Sequence, residues 1–244
     1  MASDIDTKRI TYSAGGTELQ GFLAAPANAS NCPGVLVFHE WWGLNDYIRG
    51  RAEQLAALGY VAFAADMYGG GKTADDPAGA SELMNGVLAD IPSAEARLRA
   101  AYEQIQSAAG VDEKRIGAIG YCFGGAMVLH AARTGVPLAG VVSFHGSLGS
   151  AHQPQPGEVR AKILVLHGAA DQLVPDADVD AFKKEMDAAK ADYEFVAYEG
   201  ALHGFTNPAA TEKGQKFGLP LGYDADVDAR SWQDMKAFFE RVFA

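Results

Sequence analysis

The sequence predicts an α/β fold: a mostly parallel sheet of about eight strands, flanked by helices on both faces. Three observations carry this prediction. Short apolar runs alternate with segments of helical spacing along most of the chain, the signature of strand–helix–strand units. The runs are unbroken rather than alternating, which suits strands covered on both faces of a parallel sheet. The residues able to do chemistry fall just after these runs, and in such sheets ligands bind outside the carboxyl ends of the strands.

The elements follow in order. Residues 9–12 and 18–25 read as two strands joined by Ala14-Gly15-Gly16-Thr17, a hairpin-like opening, and 26–33 as loop, where Cys32 is structurally incidental. Residues 35–39 form a buried strand that ends at Glu40-Trp41-Trp42-Gly43. Helical spacing over 47–58 places Ile48, Ala52, Leu55 and Leu58 on one face, with Gly59 as the stop. A strand over 60–65 ends at Asp66. Residues 72–90 are the least regular part, broken by Pro77, Gly79 and Gly86, and are a candidate lid or pocket wall. A helix spans 93–109, with Ser93 as its expected N-cap. Strands at 115–119, 140–145, 162–167 and 193–198 complete the set, with helices at 126–132, 177–189 and 228–243.

Composition narrows the function. With 244 residues and no evident linker, residues 1–244 read as a single domain. A content of 48% hydrophobic and 21% charged residues is ordinary for a globular protein. The net charge of -11 argues against nucleic acid or an anionic membrane as partner. The first residues lack the apolar core of a secretory signal, and no apolar run approaches the roughly eighteen residues of a membrane span. The expected location is therefore the cytoplasm. Two cysteines are too few for a disulfide framework.

The chemistry centres on Gly120-Tyr121-Cys122-Phe123-Gly124-Gly125, between a strand and an apolar helical run. This is the pattern of a nucleophile elbow, G-x-S-x-G, with cysteine in the serine position. A helix N-terminus aimed at Cys122 favours thiolate and a developing oxyanion. The bland alternative is a buried core cysteine in an ordinary turn. Placement argues against it, because Glu40, Asp171 and His203 also follow strands directly.

A thiol that attacks an acyl carbon needs a base to take its proton and return it to the leaving group, and imidazole suits both steps. The base needs an acceptor to fix its tautomer. The chain order Cys122, Asp171, His203 is the nucleophile–acid–base order of α/β-hydrolases. Asp176 and Asp178 read as helix-capping residues, and Asp66 as the holder of a turn. Among the other histidines, His39 and His167 read as core residues, while His145 is a candidate to line the pocket. Oxyanion donors are expected from the backbone N–H groups of Phe123 and Trp41. The Trp41 and Trp42 side chains either wall an apolar acyl site or pack the turn. His39-Glu40-Trp41-Trp42-Gly43 is not H-E-x-x-H, and no dinucleotide or P-loop motif occurs, so neither a metal nor a cofactor is expected.

Over nearly its whole length the chain resembles the dienelactone hydrolase family, α/β-hydrolases with cysteine at the elbow. The likeness lies in the opening hairpin, His39-Glu40-Trp41-Trp42-Gly43-Leu44-Asn45, Ala65-Asp66-Met67-Tyr68, the cysteine elbow, His167-Gly168-Ala169-Ala170-Asp171 and Gly200-Ala201-Leu202-His203-Gly204-Phe205. The resemblance implies a triad of Cys122, His203 and Asp171. It also implies that Glu40 contacts the resting thiol and helps deprotonate it when substrate binds, a switch that would spare the thiol from oxidation. Family members hold the substrate carboxylate with two arginines, one of them four residues after the catalytic histidine. Asn207 stands at that place here, and no arginine lies between Arg51 and Arg97. Asparagine replaces a bidentate guanidinium poorly. The expectation is a carboxylesterase acting through an acyl-enzyme on a small neutral ester or lactone rather than dienelactone, as a monomer or small homo-oligomer. A thioesterase or acyltransferase would use the same intermediate. A non-catalytic binding or redox-sensing protein on this fold is the reading from another class.

Overall fold

The structure is a computed structural model describing residues 4–150 and 152–244. Residues 1–3, part of the stretch read for a signal, lie outside the described residues. The chain divides into two compact units, residues 1–119 and 120–244.

In the first unit, β1 (Ile5–Ala14) and β2 (Thr17–Pro26) pair in the register Ala14↔Thr17. Gly15 and Gly16 close the hairpin at φ 55° and 83°, a two-residue turn that matches the twist of the strands. β3 (Cys32–Phe38) pairs in parallel with β4 (Val61–Ala65), which pairs antiparallel with β2. Val35, Leu36, Val37 and Phe38 are all buried, so the unbroken apolar run is a core strand. The crossover helix α1 (Asp46–Ala57) is capped by Asn45, whose side chain accepts from Ile48 N. It buries Ile48, Ala52 and Leu55, as the spacing predicts.

Cys32, the irregular segment and Ser93 depart from the sequence reading. Cys32 opens β3 instead of lying in the preceding loop. The irregular segment contains a regular helix, α2 (Pro77–Leu88), capped by Asp76. Pro77 begins this helix rather than breaking it, because an N–H missing from the first turn forfeits no bond. In α3 (Ile91–Gln106) the cap is Asp90, which accepts from Ser93 N, so Ser93 lies one turn inside.

The strand β5 (Val111–Tyr121) ends in the second unit and leads to α4 (Phe123–Arg133). β6 (Gly140–Phe144), β7 (Lys162–Gly168) and β8 (Tyr193–Tyr198) are parallel neighbours, with α5 (Asp176–Ala189) between the last two in sequence. Asp176 and Asp178 lie in the first turn of α5, but the cap is Pro175 and no side chain caps it. α6 (Ala210–Phe217) escaped the sequence reading: it is short, and no side chain caps its start. α7 (Ala225–Val242) starts at the Asp224 cap, before the predicted start at residue 228. Arg133 is buried and forks Glu185 through Nε and Nη2 at 2.8 and 2.7 Å, and Nη2 also reaches the Leu148 carbonyl at 2.7 Å. This one guanidinium ties α4, α5 and the loop after β6 together.

The strand order is β1-β2-β4-β3-β5-β6-β7-β8 in an eight-stranded, mostly parallel sheet. Among the described residues no helix is long and apolar enough to cross a membrane.

Candidate active site

Cys122 sits at the cap of α4 with φ 53° and ψ -114°, a conformation that L residues seldom adopt. Its N–H donates to Phe144 O at 3.0 Å, and its carbonyl accepts from Ala126 N at 3.1 Å. The strain thus falls on the cysteine itself, held by β6 on one side and α4 on the other. The glycines around it serve close packing instead. A Cβ on Gly120 would lie 2.0 Å from Gly124 O, and one on Gly125 would lie 2.7 Å from Ser143 Oγ. Phe123 is buried in the first helical turn, and no side chain caps that turn. Both cysteines are free thiols.

His203, in the loop after β8, donates through Nδ1 to Asp171 Oδ2 at 2.8 Å. Asp171 follows β7, and its other oxygen accepts from Leu173 N at 2.8 Å. Both side chains are buried. Burial by itself would depress the His203 pKa. The charge of Cys122, the Asp171 hydrogen bond and an incomplete bond to Cys122 outweigh it, and the pKa is pushed up to about 10. The bond is incomplete because Nε2 is buried with no partner at hydrogen-bond geometry. The structure therefore brings Cys122, His203 and Asp171 together.

The His145 ring is buried and does not line open space. It packs edge-on against the His203 and Phe205 rings, each with a centroid separation of 5.1 Å, and its Nε2 lies 2.8 Å from Thr206 Oγ1. Asn207 is buried, and its Oδ1 accepts from Ala209 N at 3.0 Å, so that oxygen builds the loop leading into α6. Thr206 was missed by sequence reasoning, since a lone threonine three residues after His203 carries no signal of its own.

The first unit holds the other candidates. Glu40 and Trp42 are buried directly after β3, and the Trp41 and Trp42 rings meet edge-on at 4.8 Å. The Glu40 carbonyl accepts from His39 Nδ1 at 2.6 Å and from Gly43 N at 3.1 Å. Peptide planarity then fixes the Trp41 N–H on the opposite side, where it donates to no group among the described residues. Tyr68 Oη donates to the Trp41 carbonyl at 2.8 Å, and Ala74 N to the Trp42 carbonyl at 3.0 Å, so the whole turn is pinned to the segment after β4. His39 accepts from Met67 N at Nε2, 3.1 Å, which fixes the proton on Nδ1. Burial holds its pKa below the ordinary value. Asp66 accepts four backbone N–H bonds, from Gln20, Tyr68, Gly69 and Gly71 at 2.8 to 3.0 Å.

The eight-stranded, mostly parallel sheet and its seven helices give the described chain the α/β-hydrolase fold. The solved structure of MGS-M1, an α/β-hydrolase from a deep-sea metagenome, shares this fold with a TM-score of 0.72 at 18% identity, over 100% of this chain and 99% of that one. The chain belongs to the dienelactone hydrolase family, whose profile matches residues 19–243. It is similar to the dienelactone hydrolase-like promiscuous phosphotriesterase P91 from metagenomic libraries, at 36% identity over 98% of this chain and 99% of that one, with a TM-score of 0.91. It is also similar to a candidate carboxymethylenebutenolidase from Saccharolobus solfataricus, at 28% identity over 96% of this chain and 98% of that protein. The chain is thus a hydrolase.

Proposed function

We propose that the chain hydrolyses small neutral carboxylic esters or lactones through an acyl-enzyme on Cys122, without a cofactor. The observation that carries this reading is the 2.8 Å His203–Asp171 bond beside a cysteine held at positive φ on a helix N-terminus. The Cys122 thiolate adds to the carbonyl carbon, and the Phe123 N–H stabilises the oxyanion. The intermediate collapses, and the leaving alkoxide takes the proton held on His203. Water then attacks the thioester while His203 accepts its proton, and the thiolate departs with release of the acid. Throughout, Asp171 fixes the His203 tautomer and offsets the imidazolium charge.

The test is turnover of a short activated aryl ester by wild type and by Cys122→Ala, with dienelactone run alongside. Loss of turnover in the variant, with a wild type that prefers the neutral ester, is the expected result. Equal rates in the two proteins would overturn the nucleophile, and efficient dienelactone turnover would overturn the neutral substrate. A second reading, attack on phosphorus, is favoured by the likeness to P91. It predicts that an aryl phosphotriester releases its phenol and leaves a phosphoryl group on Cys122, read by mass spectrometry.

A further inference from the structure

His145 stands one residue beyond β6 at φ 40°. Glycine is the residue that adopts such a backbone without strain, and Gly146 is the next residue in the chain. A histidine kept in a strained position calls for a use of its side chain. Two features show that use. The backbone is anchored, because His145 N donates to Leu166 O at 2.8 Å. The ring is engaged on two sides of one loop: it meets the His203 ring edge-on at 5.1 Å, and its Nε2 bonds Thr206 Oγ1, three residues further along. Phe205, between them in sequence, closes the packing at 5.1 Å. With 1% of its surface exposed, His145 is covered by protein and offers substrate almost nothing.

We propose that His145 is a positioning residue for His203: its ring and its bond to Thr206 hold the 203–206 loop so that the imidazole keeps its bond to Asp171 while its Nε2 stays directed at Cys122. The proposal rests on the reading of Cys122 as nucleophile and deepens it. Positioning of this kind acts on the proton-transfer steps. A misplacement of the base by about an ångström lowers turnover by up to about 10²-fold while leaving ground-state binding nearly intact.

The experiment compares His145→Asn, which removes the ring yet tolerates positive φ, with the pair Thr206→Val and Thr206→Ser. Two readouts are taken: aryl-ester kinetics, and the downfield proton resonance of the His203 Nδ1–H bonded to Asp171. The expected result for His145→Asn is a kcat lower by about 10- to 100-fold with KM within about threefold, and a weakened or lost downfield resonance in a protein that remains folded. Thr206→Val should show the same pattern in smaller measure, and Thr206→Ser should restore it; this pair keeps the test alive if His145→Asn does not fold. A rise in KM at unchanged kcat would make His145 a substrate contact and overturn the proposal. A lowered melting temperature with kcat and the resonance unchanged would reduce it to packing, and also overturn it. Failure of the underlying reading looks different. Cys122→Ala would then turn over like wild type, which no His145 variant can mimic, and the proposal would fall with it.

Discussion

His39 and His203 are both buried, both follow a strand, and both give Nδ1–H to an oxygen, yet they carry opposite electrostatics. His39 donates to a neutral carbonyl and accepts a backbone N–H, so burial wins and the ring is held neutral. His203 stands beside the charge of Cys122 and donates to the Asp171 carboxylate, so charge wins over burial and its pKa is raised. The two aspartates of these regions divide in the same way. Asp66 has spent its oxygens on four backbone N–H groups and builds a turn. Asp171 has spent one oxygen on Leu173 N and keeps the other for an imidazole. What separates a structural polar residue from a chemical one is thus which partners remain for it, and not its type, its burial or its place at a strand end.

Exchanging the aspartates for asparagine is the harshest way to break this comparison. Asp171→Asn removes the charge that fixes the His203 tautomer. The expected loss in kcat for the aryl ester is about 10³- to 10⁴-fold, the scale seen when a triad carboxylate becomes an amide. Its urea midpoint should fall far less than its activity. Asp66→Asn should do the reverse. An amide nitrogen in place of one carboxylate oxygen leaves two of the four N–H bonds unmade; those from Tyr68 and Gly69 are buried and those from Gln20 and Gly71 partly buried. A buried donor left over costs about 1–3 kcal/mol and a partly buried one less, so urea unfolding should show a loss of about 1–3 kcal/mol, with kcat per folded molecule less affected than in Asp171→Asn. Equal effects of the two variants on both measurements would dissolve the distinction.

A gentler test uses pH, because the two histidines have opposite linkage. Both titrate near 6.5 when unperturbed. The folded pKa of His203 is raised, so its charged form stabilises the fold. That contribution is full below pH 6.5 and is lost as pH rises through about 10. The folded pKa of His39 is lowered, so as pH falls below 6.5 the unfolded chain takes up a proton that the folded chain refuses, and stability is lost. Melting temperatures of wild type, His39→Gln and His203→Gln, taken between about pH 5 and pH 10, should show this. The gap between wild type and His203→Gln should narrow as pH rises above 6.5. The gap between wild type and His39→Gln should widen as pH rises toward 6.5. Gaps that move together would mean that the two rings share one charge state.

The sequence carried one half of this comparison well and the other poorly. The order of Cys122, Asp171 and His203 was legible because strand periodicity placed each at a strand end and the elbow has its own glycine pattern. Asp66 was legible as a turn residue for the same reason. The His39 bridge from Met67 to Glu40 was not, since it joins residues 28 apart whose meeting depends on β3 lying beside β4. Nor was the bond between His145 and Thr206, 61 residues apart. Local signals misled where one residue type has two uses: Pro77 starts a helix as readily as it breaks one, and Asp90 outcompeted Ser93 as a cap. α6 has no cap to announce it.

Ser143 supplies the mildest case, a polar group with nothing to hold. Its Oγ is buried in β6 without a hydrogen-bond partner, against the backbone of Gly125 and Gly146. A hydroxyl desolvated on folding and left unpaired gives nothing back, so its removal should be neutral or slightly stabilising. For Ser143→Ala the expected shift in unfolding free energy is within about 1 kcal/mol of zero, on the stabilising side. The aryl-ester kcat should stay within about twofold of wild type, because Cys122 is held through the Phe144 carbonyl rather than through this side chain. A loss of turnover at unchanged stability would mean that the hydroxyl finds a partner once substrate is bound. Ser143 would then move to the side of Asp171, among the groups that keep a bond in reserve.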